Sequence, residues 1–289
     1  LLVITCINLF LFRFDYFSAV NLNEMKINTI KKASLIALFF YIPLATMAWG
    51  VEGHRIVGQI ADSYLTKKAR KEISKILGTE SVAMSSNWAD FVKSDPSYNY
   101  LYNWHFINLK AGLSEAQVDG YLAQDTATDA YTKINFLAAE LKKSDLSAEN
   151  KQLYLRLLIH LVGDIHQPMH TGRPEDLGGN KIKVMWFGDS KNLHQVWDDQ
   201  LILFQQLSYT EYSAAINHTT KDQLKAMQQE PVSKWVYQSY QVAEKIYNDV
   251  KPDQKLDYKY NYNYVSILNR QLLKGGVHLA GLLNEIFGG

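Results

Sequence analysis

The chain has 289 residues, is 47% hydrophobic, and carries 30 basic against 29 acidic side chains. That hydrophobic content can fill a core and excludes an intrinsically disordered protein, while the near balance of charge excludes a protein that coats duplex DNA through a broad basic face. A single cysteine, Cys6, excludes an intrachain disulfide scaffold.

Residues 1–48 differ from the rest. Met25 opens Met-Lys-Ile-Asn-Thr-Ile-Lys-Lys, and an apolar run follows from Ala33 to Ala48 with small residues at Thr46 and Ala48. A basic start, an apolar stretch and a small-residue end make a secretory signal, with cleavage expected between Ala48 and Trp49. The run is shorter than the roughly 20 apolar residues of a spanning helix. The expected organisation is therefore upstream sequence over 1–24, a signal peptide over 25–48 and one domain over 49–289. A secreted or periplasmic protein follows, with the bacterial periplasm or exterior the best fit and no membrane association after cleavage. Removing residues 1–48 takes away Arg13, Lys26, Lys31 and Lys32 against Asp15 and Glu24, so the remainder stays near neutral and has no cysteine.

From Trp49 onward, apolar periodicity near 3.6 dominates. It predicts helices from about Gly53 to Leu77, ending at Gly78, and from the capping-box-like Ser114-Glu-Ala-Gln117 to Leu141. A third runs from Ser147 to His170, with Leu153, Leu157, Leu161 and Ile165 on its apolar side and Pro168 marking its end. The run Thr171 to Gly179 is turn chemistry, and Lys181 to Phe187 alternates as a short strand. Helical patterns resume from about Leu193 to Leu207, Ser233 to Asp249 and Tyr264 to Phe287. The fold class is all-α, a single mostly helical domain with a short strand or β-hairpin near 181–187.

All eight histidines lie beyond residue 48, three of them in His160-Leu-Val-Gly-Asp164-Ile-His166-Gln-Pro-Met-His170. Three imidazoles and a carboxylate so close together are a metal-ligand density. His160 and Asp164, and again His194 and Asp198, stand four residues apart, so each pair shares a helix face and can close on one ion. Zinc accepts both donor types, usually four at a time, so two pairs suggest more than one metal. His54, His105 after Trp104, and Asp90 in Asn87-Trp-Ala-Asp90 are further candidates. His166 has the wrong helical phase to join either pair and reads as structural or as a partner of a ligand; His218 and His278 read as structural.

These markers, Trp49-Gly-x-x-Gly-His54, Trp88-Ala-Asp90, Trp104-His105-Phe106, the His160 to His170 run and His194-x-x-Trp-Asp198, occur in one order across the whole of 49–289. In them the chain resembles the S1/P1 nuclease family, secreted zinc-dependent nucleases whose all-helical fold is shared with bacterial zinc phospholipases C. The resemblance implies a catalytic nuclease domain over 49–289 and three zinc ions. Asp90, His105, His160 and Asp164 would hold the first; His170, His194 and Asp198 the second; the α-amino nitrogen and carbonyl oxygen of Trp49, with His54 and Asp164, the third. The α-amino group can serve only once cleavage exposes it.

The resemblance further implies hydrolysis of single-stranded DNA and RNA to 5′-phosphate products, with release of phosphate from 3′-nucleotides. Two metal ions can lower the pKa of a bridging water and stabilise in-line displacement at phosphorus. Asp90, Lys93 and Asp164 would act in catalysis, Lys93 standing where the family often has Arg. Phe106 would stack a base, Asn108 would contact its edge where fungal members have Asp, and Asp199 would face the scissile phosphate. No stable protein partner is implied. The alternatives are a zinc phospholipase C, a non-catalytic zinc-binding or storage protein, and a helical protein whose histidines are merely buried. Asn217-His-Thr219 matches a glycosylation acceptor.

Overall fold

Polar caps decide where the helices begin. In the computed structural model, which describes residues 49–289, Thr66 accepts a hydrogen bond from the Ala69 amide and starts a helix of its own. The expected helix 53–77 is therefore two, α1 (Val51–Ser63) and α2 (Lys67–Leu77). Two short helices follow, α3 (Val82–Ser85) and α4 (Trp88–Phe91), then 3-10 turns over Val92–Ser94 and Pro96–His105. The expected helix 114–141 is also divided, into α5 (Glu115–Ala123) behind the Ser114–Gln117 capping box and α6 (Ala130–Leu141) behind a second box built by Asp129 and Thr132. In both cases an apolar period continues across a gap that a side-chain cap has opened. The expected upstream segment 1–24 and signal peptide 25–48 lie outside the described residues.

The centre of the fold is α7 (Ala148–Ile165). Rather than one apolar side it has none exposed in its second half: every residue from Leu157 to Gly172 is buried, the mark of a helix enclosed by its neighbours. It ends at Ile165, short of the expected His170, because Pro168 favours an extended Gln167 (φ −82°, ψ 116°) and starts a 3-10 turn over Pro168–Thr171.

The expected strand is half of a hairpin. β1 (Lys183–Trp186) and β2 (Asp189–Asn192) pair antiparallel from Lys183↔Asn192 to Trp186↔Asp189. Their two-residue turn, Phe187 and Gly188, has positive φ at both positions, as a turn matched to strand twist requires. Helical structure then runs through α8 (Leu193–Gln195), a π-helical turn at Val196–Gln200 and α9 (Leu201–Leu203), stopping short of the expected Leu207. Two capped helices that periodicity did not reveal, α10 (Tyr209–Ile216) and α11 (Lys221–Gln228), precede α12 (Val232–Asp249). A short β3 (Lys255–Leu256) adds to β1 in parallel, and α13 (Tyr258–Phe287) begins six residues before its apolar pattern, at the cap Asp257.

The last helix closes on the first. A β-carbon on Gly276 of α13 would fall 2.4 Å from Ile60 Cγ2 and 3.0 Å from the Val57 carbonyl oxygen, both on α1. Gly58, on α1, meets Ala83 of α3 in the same way, at 2.7 Å. Among the described residues no helix is long and apolar enough to cross a membrane. Gly276→Ala is expected to overpack this contact and lower the unfolding free energy by about 1–3 kcal/mol, read as a lower urea midpoint with unchanged slope.

Candidate metal centre

Helix α7 presents His160 and Asp164 one turn apart. The Asp164 carboxylate is fully buried, with Oδ2 2.9 Å from His105 Nδ1 and 3.2 Å from His160 Nε2, and Oδ1 3.4 Å from His54 Nε2. His105 ends the 3-10 turn after α4. His54, from α1, stacks on His160 with ring centres 4.0 Å apart. That approach needs a glycine opposite, since a β-carbon on Gly163 would stand 2.7 Å from His54 Nδ1. Asp90, from α4, places Oδ1 3.6 Å from His160 Nε2 and 2.5 Å from the Lys93 ammonium.

A second group lies beyond the end of α7. His170 sits in the 3-10 turn, its Nε2 4.0 Å from Asp198 Oδ1, and its Nδ1 3.7 Å from Asp164 Oδ1. His194 Nε2 is 3.4 Å from Asp198 Oδ2. Asp198 lies in the π-helical turn, a widened turn of the kind found at functional sites. Three sets of side chains thus bring their ligand atoms within 4.8 Å of one another: His54, Asp90 and His160; His105, His160 and Asp164; His170, His194 and Asp198.

The donor chemistry suits cations. His160, His170 and His194 each direct Nδ1–H to a backbone carbonyl, of Ser86 at 2.7 Å, His105 at 2.6 Å and Gly178 at 2.6 Å. That bond fixes the tautomer and leaves each Nε2 lone pair facing the pocket. Both ring nitrogens of His54, Oδ2 of Asp90, Oδ1 of Asp164 and Nε2 of His170 are buried without a hydrogen-bond partner. Such atoms are costly to bury unless something else satisfies them.

Burial, and for His54 the neighbouring His160, lowers His54 and His105 to about 4, and burial lowers His170 to about 3. These rings are neutral near pH 7. Asp90 is held at about 2 against the effect of burial, chiefly by His160 and Lys93. Asp164 likewise stays well below the ordinary carboxylate range despite burial, through His160 and a hydrogen bond from His105. Two groups go the other way. Burial pushes Asp198 well up, with Asp199, Asp90 and Asp164 adding repulsion; His160 is raised, despite burial, by Asp164 and Asp90.

The structure brings together every side chain expected to hold metal: His54, Asp90, His105, His160, Asp164, His170, His194 and Asp198. Trp49 is fully buried next to them, and the Gly50 amide donates to the Asp198 carbonyl at 2.9 Å. Phe106 and Asn108 line a cleft with Tyr102, Leu177 and Asn180 that opens onto His105, His170 and His194. Tyr102 meets Phe106 edge to face at 6.0 Å. The Asp199 carboxylate lies against the Gly50 backbone, where a β-carbon would collide with it at 1.5 Å. Burial, then Asp90, raises its pKa. His218 is exposed, and the Asn217 amide is engaged by Ser63 and Tyr64.

Sequence reasoning passed over Gln167. It is fully buried and its amide donates to Asp198 Oδ1 at 2.6 Å, aiming the carboxylate between His170 and His194. Its only signal was its position between two expected ligands and before a proline.

Residues 49–288 match the family model described as S1/P1 Nuclease. The chain is 29% identical over 268 residues to Endonuclease 3 of Arabidopsis thaliana, covering 83% of this chain and 90% of that one. It is 26% identical over 273 to 276 residues both to Endonuclease 5 of the same plant and to Nuclease P1 of Penicillium citrinum, in the latter case spanning 98% of the relative. Nuclease S1 of Aspergillus oryzae is 31% identical over 160 residues, 54% of this chain and 55% of that one.

Gln167→Leu is expected to weaken retention of one divalent ion about 10-fold, read as metal per chain after dialysis against graded chelator; unchanged retention would show that the amide does not orient Asp198. Because Asp198 and His160 hold protons above their ordinary pKa values, and ligands must shed protons to bind metal, retained metal should fall as pH drops below neutral. Metal content after dialysis at a series of pH values checks the direction.

Proposed function

The chain belongs to the S1/P1 nuclease family, and from that premise we propose that it is a zinc-dependent phosphodiesterase cleaving single-stranded DNA and RNA to 5′-phosphate products and releasing phosphate from 3′-nucleotides. The observation that carries this reading is one buried pocket of three His/Asp groups, rich in unpartnered ligand atoms, beside an aromatic cleft.

Three zinc ions are proposed. Asp90, His105, His160 and Asp164 would hold one, and His170, His194 and Asp198 another. His54, Asp164 and the freed amino terminus and carbonyl of Trp49 would hold the third, with the signal peptide 25–48 removed on export to the periplasm or exterior. Bound zinc would supply an activated water and neutralise charge in an in-line displacement at phosphorus.

The protein's own groups do the rest. Asp164 ties the sets together, its two oxygens facing different histidines. Lys93, held beside the pocket by Asp90, offers a positive charge to a scissile phosphate. Phe106 gives a base a face to stack on, and Asn108 can donate to or accept from its edge. Bases in a duplex are stacked inward, so single strands suit this cleft. The match to the S1/P1 Nuclease family model favours a nucleic acid over the lipid headgroup of a phospholipase C substrate.

The test is zinc content of the protein beginning at Trp49, together with products from single-stranded DNA, single-stranded RNA and phosphatidylcholine. About three zincs and 5′-phosphate ends are expected; lipid turnover without nucleic-acid turnover would reverse the assignment. Lys93→Ala should lower kcat/KM about 100-fold with zinc content unchanged. A chain retaining one residue before Trp49 should bind less zinc and be poorly active, and full activity there would refute the amino-terminal ligand.

A further inference from the structure

His166 and His278 have no place in the mechanism, yet both are buried and joined. His166 Nδ1 is 2.7 Å from the Val162 carbonyl oxygen, its Nε2 is 2.7 Å from His278 Nδ1, and His278 Nε2 is 3.3 Å from Glu230 Oε2. The Val162 carbonyl can only accept, so His166 donates from Nδ1, and the neutral ring accepts at Nε2 from His278 Nδ1. Trp235 stacks on His278 at 4.7 Å with the planes 7° apart. Burial, then His278, holds His166 well below the ordinary imidazole range, and burial lowers His278 although Glu230 pulls it up.

The array ends where the metal ligands change element. His166 is the residue after the last turn of α7, and its ring donates back to the Val162 carbonyl at that helix's end. Before it stand His160 and Asp164; after it, Gln167, which aims Asp198, and His170. Gln271 Nε2 donates to the His166 carbonyl at 3.0 Å and to Ser239 at 3.1 Å, fixing the same turn to α12 and α13.

We propose that His278 is a positioning residue for the metal centre: through His166 it fixes the turn between α7 and the Pro168–Thr171 segment, and with it the ligands on both sides. The inference rests on the reading that these groups hold zinc. A packing role would require only volume at position 278, whereas positioning requires donors.

The experiment compares His278→Leu with His278→Gln in the zinc-loaded protein, reading zinc transfer to a chromogenic chelator alongside the melting temperature. Leu should speed transfer about 10-fold, while Gln, whose amide can donate to both neighbours, should stay within about two-fold of the parent. Equal rates for Leu and Gln would overturn the proposal. Should the Leu variant fail to fold, His278→Phe, which keeps a ring and lacks both nitrogens, should still speed transfer several-fold, about 3-fold or more; no change there overturns it equally. A parent protein that takes up no zinc would remove the metal reading and this inference together. Retained zinc without nuclease activity would refute the proposed function and leave this inference to be decided by the variants.

Discussion

Four carboxylates, those of Asp90, Asp164, Asp198 and Asp199, converge on one pocket of the helical fold, and their burial, to which repulsion adds at Asp198 and Asp199, is the constraint to which the rest of the structure answers. Moving one such charge out of water costs several kcal/mol even after relaxation, and like charges nearby add to that. Lys93 pairs with Asp90. The remaining charge calls for cations, and the architecture keeps the donors ready for them. Three imidazoles are pinned to carbonyls, an amide holds Asp198, and glycines at 50 and 163 allow Asp199 and His54 to lie against backbone.

Much of the site was legible because its spacing is chemical. His160 with Asp164, and His194 with Asp198, are four apart, the spacing of one helical turn, and the structure keeps both pairs together. The positions of Phe106 and Asn108 in the cleft were legible only through the family's motifs, since an aromatic after a histidine is otherwise an ordinary core residue. Gln167 was silent because a buried amide has the same letter as a solvated one. The His166–His278 pairing was invisible for another reason: 112 residues separate the partners, and periodicity reports a face without naming its neighbour.

The fold was legible as a class more than as a set of boundaries. Apolar periodicity identified a helical domain, and the alternation at 181–187 located the sheet. It could not see that Thr66 and Asp129 would restart helices within continuous apolar patterns, since a cap acts through one hydrogen bond and leaves the period intact. α10 and α11 were missed because they are short, only eight residues each, and α11 has no buried residue to mark it. Here local chemistry overrode the average pattern.

The closure of α13 on α1 has a consequence for how the protein comes into being. His54 rides on α1, His160 and Asp164 on α7, and Asp198 comes later still, while Gly276, almost at the end of the chain, is pressed against Ile60. Every ligand is therefore synthesised well before the helix that locks α1 in place, and contacts between such distant segments form slowly. Helix α1, and His54 with it, therefore gains its last packing partner only once the end of the chain has been made.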